Sequence, residues 1–170
     1  MADLAMLVLR VVHISLGVFW AGSALMVAGF LEPTVRALGP DGGRFMQHLV
    51  QQQQFTRYMT IASALTVLTG LAFLGHGMSS QLWRASAYGQ AMMFGSLTGV
   101  VALGLGHGMS APAARRLGVL MAGIQASGRA PGADEQQQMR QLQNRLRAGG
   151  RYSAVFITLT VIAMAAARHL

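Results

Sequence analysis

Four stretches of nearly continuous apolar residues, roughly 4–31, 59–78, 88–111 and 152–167, alternate with polar connections along the chain. Each is close to the ~20 residues that cross a bilayer as a helix. The fourth, "YSAVFITLTVIAMAAA", is the shortest. Apolarity within them is continuous rather than alternating at period two, which argues for helices and against the strands of a membrane barrel. The pattern predicts an all-α integral membrane protein, a four-helix antiparallel bundle in which each helix neighbours the next.

The polar connections predict helical extensions into water. "GPDGG" (39–43) and "SGRAPGAD" (127–134) are dense in turn residues. Segments 44–58, 113–127 and 134–150 carry apolar residues at helical spacing among glutamines and arginines. Asp134 is the expected N-cap of the last helix, with Glu135 favourable beside it. Pro33 and Pro112, near the membrane boundary, should each kink their helix. Glu32 can pair with Arg36 one turn on.

Composition strengthens the membrane reading. Charged residues make up 11% of the chain and mean hydropathy is +0.44, against about 25% charge in a soluble domain. The start, "MADLAMLVLR", has an acid where a secretory signal has its basic region, and its apolar run is longer than a signal's, so it reads as the first membrane helix. With no cysteine, disulfides, thiolate metal sites and c-type haem attachment are excluded.

The net charge of +8 comes from thirteen arginines and no lysine. Arg36, Arg44 and Arg57 lie in the first connection; Arg115, Arg116, Arg129, Arg140, Arg145, Arg147 and Arg151 lie in the third. Only Arg10, Arg84 and Arg168 lie elsewhere. This asymmetry places both arginine-rich connections in the cytoplasm, and the two termini and the 79–87 loop outside. The charge is a topology signal, and no nucleic-acid partner is expected.

An internal repeat organises the single domain, 1–170. "EPTVRAL" (32–38) matches "APAARRL" (111–117), with Pro33 and Pro112 79 residues apart. "MQHLVQQQQFTRY" (46–58) matches "MRQLQNRLRAGGRY" (139–152), both leading into an apolar stretch. Two like hairpins follow, 1–80 and 86–170, in the manner of parallel repeats; a chance match is the alternative.

The candidate chemistry lies in the histidines. "FLGHGMS" (73–79) and "GLGHGMS" (104–110) are near copies, but the topology puts His76 at the outer face and His107 at the inner. His13 shares the outer half with His76, and on a helical wheel Gly17, Trp20 and Ala24 continue its stripe. One reading of His13 is a hydrogen-bonded residue serving packing. The other is axial ligation of a b-type haem by His13 and His76, with Gly17, Gly75 and Gly77 leaving room for the macrocycle and Arg10 or Arg84 beside the propionates. A copper reading uses His13 or the two His-x-Met pairs, His76/Met78 outside and His107/Met109 inside, as imidazole and thioether ligands. "GSLTG" (95–99) and "GLGHG" (104–108) are close-packing motifs, giving the third helix a face for its neighbours, for other subunits or for a second copy.

"RVVHISLGVFWAGSALMVAGFLEPTVRALGPDGGRFMQHL" resembles the first hairpin of a group of small bacterial membrane proteins. Its "H-I-x-x-G-V-F-W-x-G" also resembles the first helix of copper-resistance D (CopD)-type domains and of haem-associated HemJ-type proteins. That resemblance implies the bacterial inner membrane, and His13 as candidate ligand with Trp20 and Gly22 as neighbours. The His-Gly-Met pairs depart from the group's usual pattern. Paired intramembrane carboxylates, H-E-x-x-H, a Walker loop and G-x-S-x-G are all missing, so no independent catalytic activity is expected. Ser63, Ser96 and Ser153 are expected to bond between helices. Open readings are a haem-binding electron carrier or redox subunit, a cofactor-free accessory subunit of a respiratory or photosynthetic complex, and a copper-handling protein.

Overall fold

A computed structural model describes residues 2–170, and among them there are helices and turns but no strand. Helix α1 (Ala2–Met26) runs through a π-helical turn (Val27–Leu31) into α2 (Glu32–Ala37); α3 (Pro40–Gln51) follows a turn at Gly39, and α4 (Phe55–Met78) follows a break at Gln52–Gln54. Short α5 (Gln81–Ala85) leads to α6 (Ala87–Leu105), a second π-helical turn (Gly106–Ser110) and α7 (Ala111–Ser127); α8 (Ala133–Ala167) ends the chain. Four continuous helical runs, Leu4–Ala37, Phe55–Met78, Ala87–Ser127 and Ala133–Ala167, are long and apolar enough to cross a membrane.

The two prolines explain the π turns. A proline inside a helix gives no N–H and its ring collides with the carbonyl four residues back. For Pro33 that residue is Gly29, and for Pro112 it is Gly108; both lie inside the π turns. The wider turn carries the carbonyl away from the ring, so the helix continues where a plain α-helix would break. Like the prolines, the two π turns stand 79 residues apart.

Small residues set the helix contacts. A methyl on Gly17 of α1 would stand 3.4 Å from the Thr66 methyl of α4, and one on Gly99 of α6 would stand 3.6 Å from the Thr160 methyl of α8. Each hairpin thus seats a glycine against a threonine, so the backbones approach closely. Gly95 meets Met164 of α8, which accounts for "GSLTG" inside the chain, whereas Gly104 and Gly108 have nothing within 4 Å. Thr98 and Thr160 share a 2.8 Å hydroxyl bond, and Ser153 donates to the Ala102 carbonyl at 3.1 Å. Contacts of α4 with α6 and of α1 with α8 join the hairpins. Trp20, Ala21, Ala62, Ala102 and Ile157 form the buried cluster where they meet.

Several local expectations are corrected. Helix α3 starts at Pro40, so only Gly39 of "GPDGG" lies in a turn, with Leu38 before it, and Gly39 takes φ +56°. Segment 44–58 is interrupted, because Gln54 adopts the left-handed conformation at φ 51°. The 79–87 loop contains α5, capped by Ser80. The last helix is capped at Gly132 rather than Asp134: the Glu135 carboxylate accepts from the Gly132 N–H at 2.8 Å and from the Arg129 guanidinium at 2.7 and 2.8 Å. Glu32 turns away from Arg36 to Arg147 and Arg151 of α8, each 3.7 Å from one carboxylate oxygen. Ser63 bonds back to the Thr60 carbonyl of its own helix.

Candidate functional site

The polar feature that sequence chemistry points to most directly, His13, is built into the α1–α4 contact. Gly17 and Trp20 on its stripe bring α1 against α4: Gly17 admits Thr66, and Trp20 is buried at 7% exposure. At His13 itself the partner is again glycine. A methyl on Gly70 would lie 2.9 Å from His13 Cε1, so only glycine leaves room for the imidazole as it lies. Phe73 stands edge-on to the ring at 5.8 Å.

The hydrogen bonds select a tautomer. His13 Nδ1 lies 2.9 Å from the Thr66 carbonyl and 2.9 Å from Thr69 Oγ1. A carbonyl only accepts, so Nδ1 carries the proton. The Thr69 hydroxyl directs its own proton to the Leu65 carbonyl at 2.7 Å or the Thr66 carbonyl at 3.0 Å, leaving its oxygen to accept from His13. Nε2 therefore holds the lone pair. The imidazole also satisfies a helical carbonyl that already serves its own ladder, a bond that stitches the two helices together.

The remaining sequence-derived residues lie apart from this seam. His76 is exposed, six residues beyond Gly70 on α4, which is about 9 Å of helical rise. Phe73 lies at the intermediate level, beside the His13 ring. The Nδ1 bonds of His13 are to Thr66 and Thr69 of α4.

The two "LGHGMS" copies have different local surroundings. Gly77 receives the Trp83 indole, whose nearest atom would be 2.7 Å from an added methyl. The Arg84 guanidinium donates to the Met78 carbonyl, closing the C-terminal end of α4. Residues two apart on an α-helix are turned about 200°, so His76 and Met78 project to opposite sides of α4. His107 and Met109 lie exposed in the second π turn, with His107 Nδ1 3.1 Å from the Leu103 carbonyl. Arg10 is exposed and forms no ion pair among the described residues. Among them, no three His, Cys, Asp or Glu side chains gather to form a metal site.

Thr66, Thr69, Gly70 and Phe73 complete the His13 seam and lie outside the residues singled out from the sequence. Their signal is a second stripe: Ser63, Thr66, Thr69 and Phe73 recur at three- and four-residue steps through an otherwise apolar run. A polar stripe on one hydrophobic helix, with a histidine on the helix before it, marks where the two meet. The chain matches no protein-family model, and no curated protein or solved structure matches it.

Proposed function

We propose that this chain is an integral protein of the bacterial inner membrane, an antiparallel four-helix bundle of two like hairpins, serving as a cofactor-free accessory subunit of a larger membrane assembly. The observation that carries this reading is the engagement of His13. The histidine with the strongest claim to bind a cofactor lies inside a helix–helix contact, bonded to Thr66 and Thr69 and seated on Gly70.

The distribution of side chains supports membrane insertion. The buried cluster is dominated by small residues, while large apolar side chains such as Leu7, Val18, Leu68, Leu97 and Val155 face outward at 55–70% exposure. A soluble domain hides such residues; lipid accommodates them. Arginine placement gives the orientation, with both termini outside. Gly104 at the end of α6 and Gly108 in the π turn after it, both open, give a neighbouring subunit or a second copy a close approach.

A second reading is favoured by one observation: the Nδ1–H bond to Thr66 presents Nε2 as a free lone pair, as in ligating histidines. On this reading His13 alone holds a haem or a copper ion from this chain, and a partner completes the coordination. Purification in mild detergent separates the two. The accessory reading expects no Soret band, no bound metal, and migration on a native gel in an assembly larger than the 18.0 kDa chain. A Soret band, or stoichiometric copper, lost in His13→Ala would refute it and establish the second.

A further inference from the structure

Just past the first π-helical turn, which packs on α8, the charges of the two helices do not balance. Arg147 and Arg151 each stand 3.7 Å from the same Glu32 carboxylate oxygen, two cations against one anion. They are the only arginines of the chain spaced one helical turn apart, a spacing at which like charges repel. At 3.7 Å neither guanidinium hydrogen-bonds the carboxylate. Arg147 has one long bond, 3.5 Å to the Asn144 side chain, and Arg151 has none among the described residues. Each guanidinium carries five N–H donors, so most of them are uncommitted beside an excess positive charge.

The face of α8 that carries Arg151 becomes apolar within a turn. Val155, Leu159 and Ile162 follow it at three- and four-residue steps, with 56%, 38% and 59% exposure, and Tyr152 is 58% exposed. Leu159 lies about 12 Å and Ile162 about 17 Å of helical rise beyond Arg151. One leaflet of the ~30 Å hydrocarbon core is about 15 Å deep. At that depth Leu159 and Ile162 border a groove of about 430 Å³ between α8 and α6, with Ala163 and Phe94 beside them.

We infer that an anionic phospholipid binds this face of α8, its phosphate on Arg151 and Arg147 and one acyl chain along Val155, Leu159 and Ile162. The inference rests on the membrane reading proposed above. A phosphate accepts forked N–H pairs from guanidinium groups, and its charge offsets the one that Glu32 leaves over. A zwitterionic lipid brings its own cation to Arg151 and gains less. The apolar stripe seats a tail, which free phosphate lacks.

Reconstitution into vesicles of mixed phosphatidylglycerol and phosphatidylcholine, followed by detergent release and native mass spectrometry, tests this. Flotation with the vesicles is the first readout; a wild-type chain that does not float refutes the membrane reading and the inference with it. For an inserted chain, phosphatidylglycerol should be retained over phosphatidylcholine. Arg151→Gln should lower that retention about fivefold. Arg151→Lys keeps the charge without the fork and should fall between the two; it is the variant read if Arg151→Gln does not float. Arg140 shares the face of Arg151 but stands about 16 Å further from the apolar run, so Arg140→Gln should leave retention unchanged. Retention in the Arg151 variants equal to wild type overturns the proposal with the membrane reading intact. An equal drop in Arg140→Gln does so too, because it reports diffuse attraction to the basic surface. Displacement of the lipid by millimolar inorganic phosphate also overturns it, making the site one for the free anion.

Discussion

Gly70→Ala tests whether the His13 seam is as tight as its geometry requires. The new methyl would stand 2.9 Å from His13 Cε1, with Nδ1 at 3.6 Å and Nε2 at 3.9 Å. Carbon atoms rest at about 3.5–4.0 Å, so the imidazole must retreat by roughly 0.6 Å or more. Its Nδ1 bonds to Thr66 and Thr69 are both 2.9 Å, and a retreat of that size takes them towards the limit of hydrogen bonding. An interhelical bond of this kind is worth about 0.6 kcal/mol on average and up to about 1.7 kcal/mol. Overpacking adds about 1–3 kcal/mol, and replacing a helical glycine returns about 0.5–1 kcal/mol. The expected net loss is about 1–3 kcal/mol.

His13→Ala removes both the bonds and the obstacle. In the double variant the Gly70 methyl points into the space the ring has left, so the two losses should not add. The cycle is read by reversible unfolding in mixed micelles, followed by circular dichroism. A favourable coupling of at least about 1 kcal/mol is expected. Gly70→Ala as stable as wild type, or a cycle additive within about 0.5 kcal/mol, would refute the tight seam and weaken the accessory reading that rests on it.

Three further outcomes are expected. Gly149→Ala would put a methyl 2.4 Å from Ser110 Oγ and 3.1 Å from Met109 Cβ, costing about 1–3 kcal/mol in the same assay; Ser110→Ala, which removes a buried hydroxyl without a partner, should be neutral or stabilising and recover part of that loss. Cysteines replacing Asp41 or Ala130 should resist an impermeant thiol reagent in intact cells while one replacing Gln81 is labelled; the reverse pattern would invert the orientation. The Arg129 hydrogen bond, then the Gly132 N–H, holds the Glu135 carboxyl down to about 2. Its folded pKa lies below the ordinary value, so its contribution is present above about pH 4.5 and is lost as pH falls through about 2. Exchange protection of the Gly132 amide should therefore persist to pH 3, and its loss near pH 4.5 would count against the cap.

The helices and the stripe that packs on α4 were legible because they are periodic. Apolar length marked the four long runs, and the wheel through His13, Gly17 and Trp20 named the buried face of α1. What was not legible depends on partners distant in sequence. Glu32 had Arg36 one turn away in sequence, yet the pair formed is with α8, whose Arg147 and Arg151 approach only once the helices pack. The partners of His13 are likewise distant in sequence, 53 and 56 residues on. Thr66 and Thr69 offered His13 acceptors at hydrogen-bond distance, with Gly70 making room for the ring.

The prolines join these local and distant effects. Each was expected to kink its helix, and each is preceded by a π turn containing a glycine four residues back. The extra residue per turn changes which faces α2 and α7 present beyond it, because side chains after a π turn are rotated relative to an unbroken α-helix. Glu32 and Ala111 are the first residues past those turns, so their direction depends on the turns. In one hairpin the rotated position carries a carboxylate that reaches α8; in the other it carries a methyl.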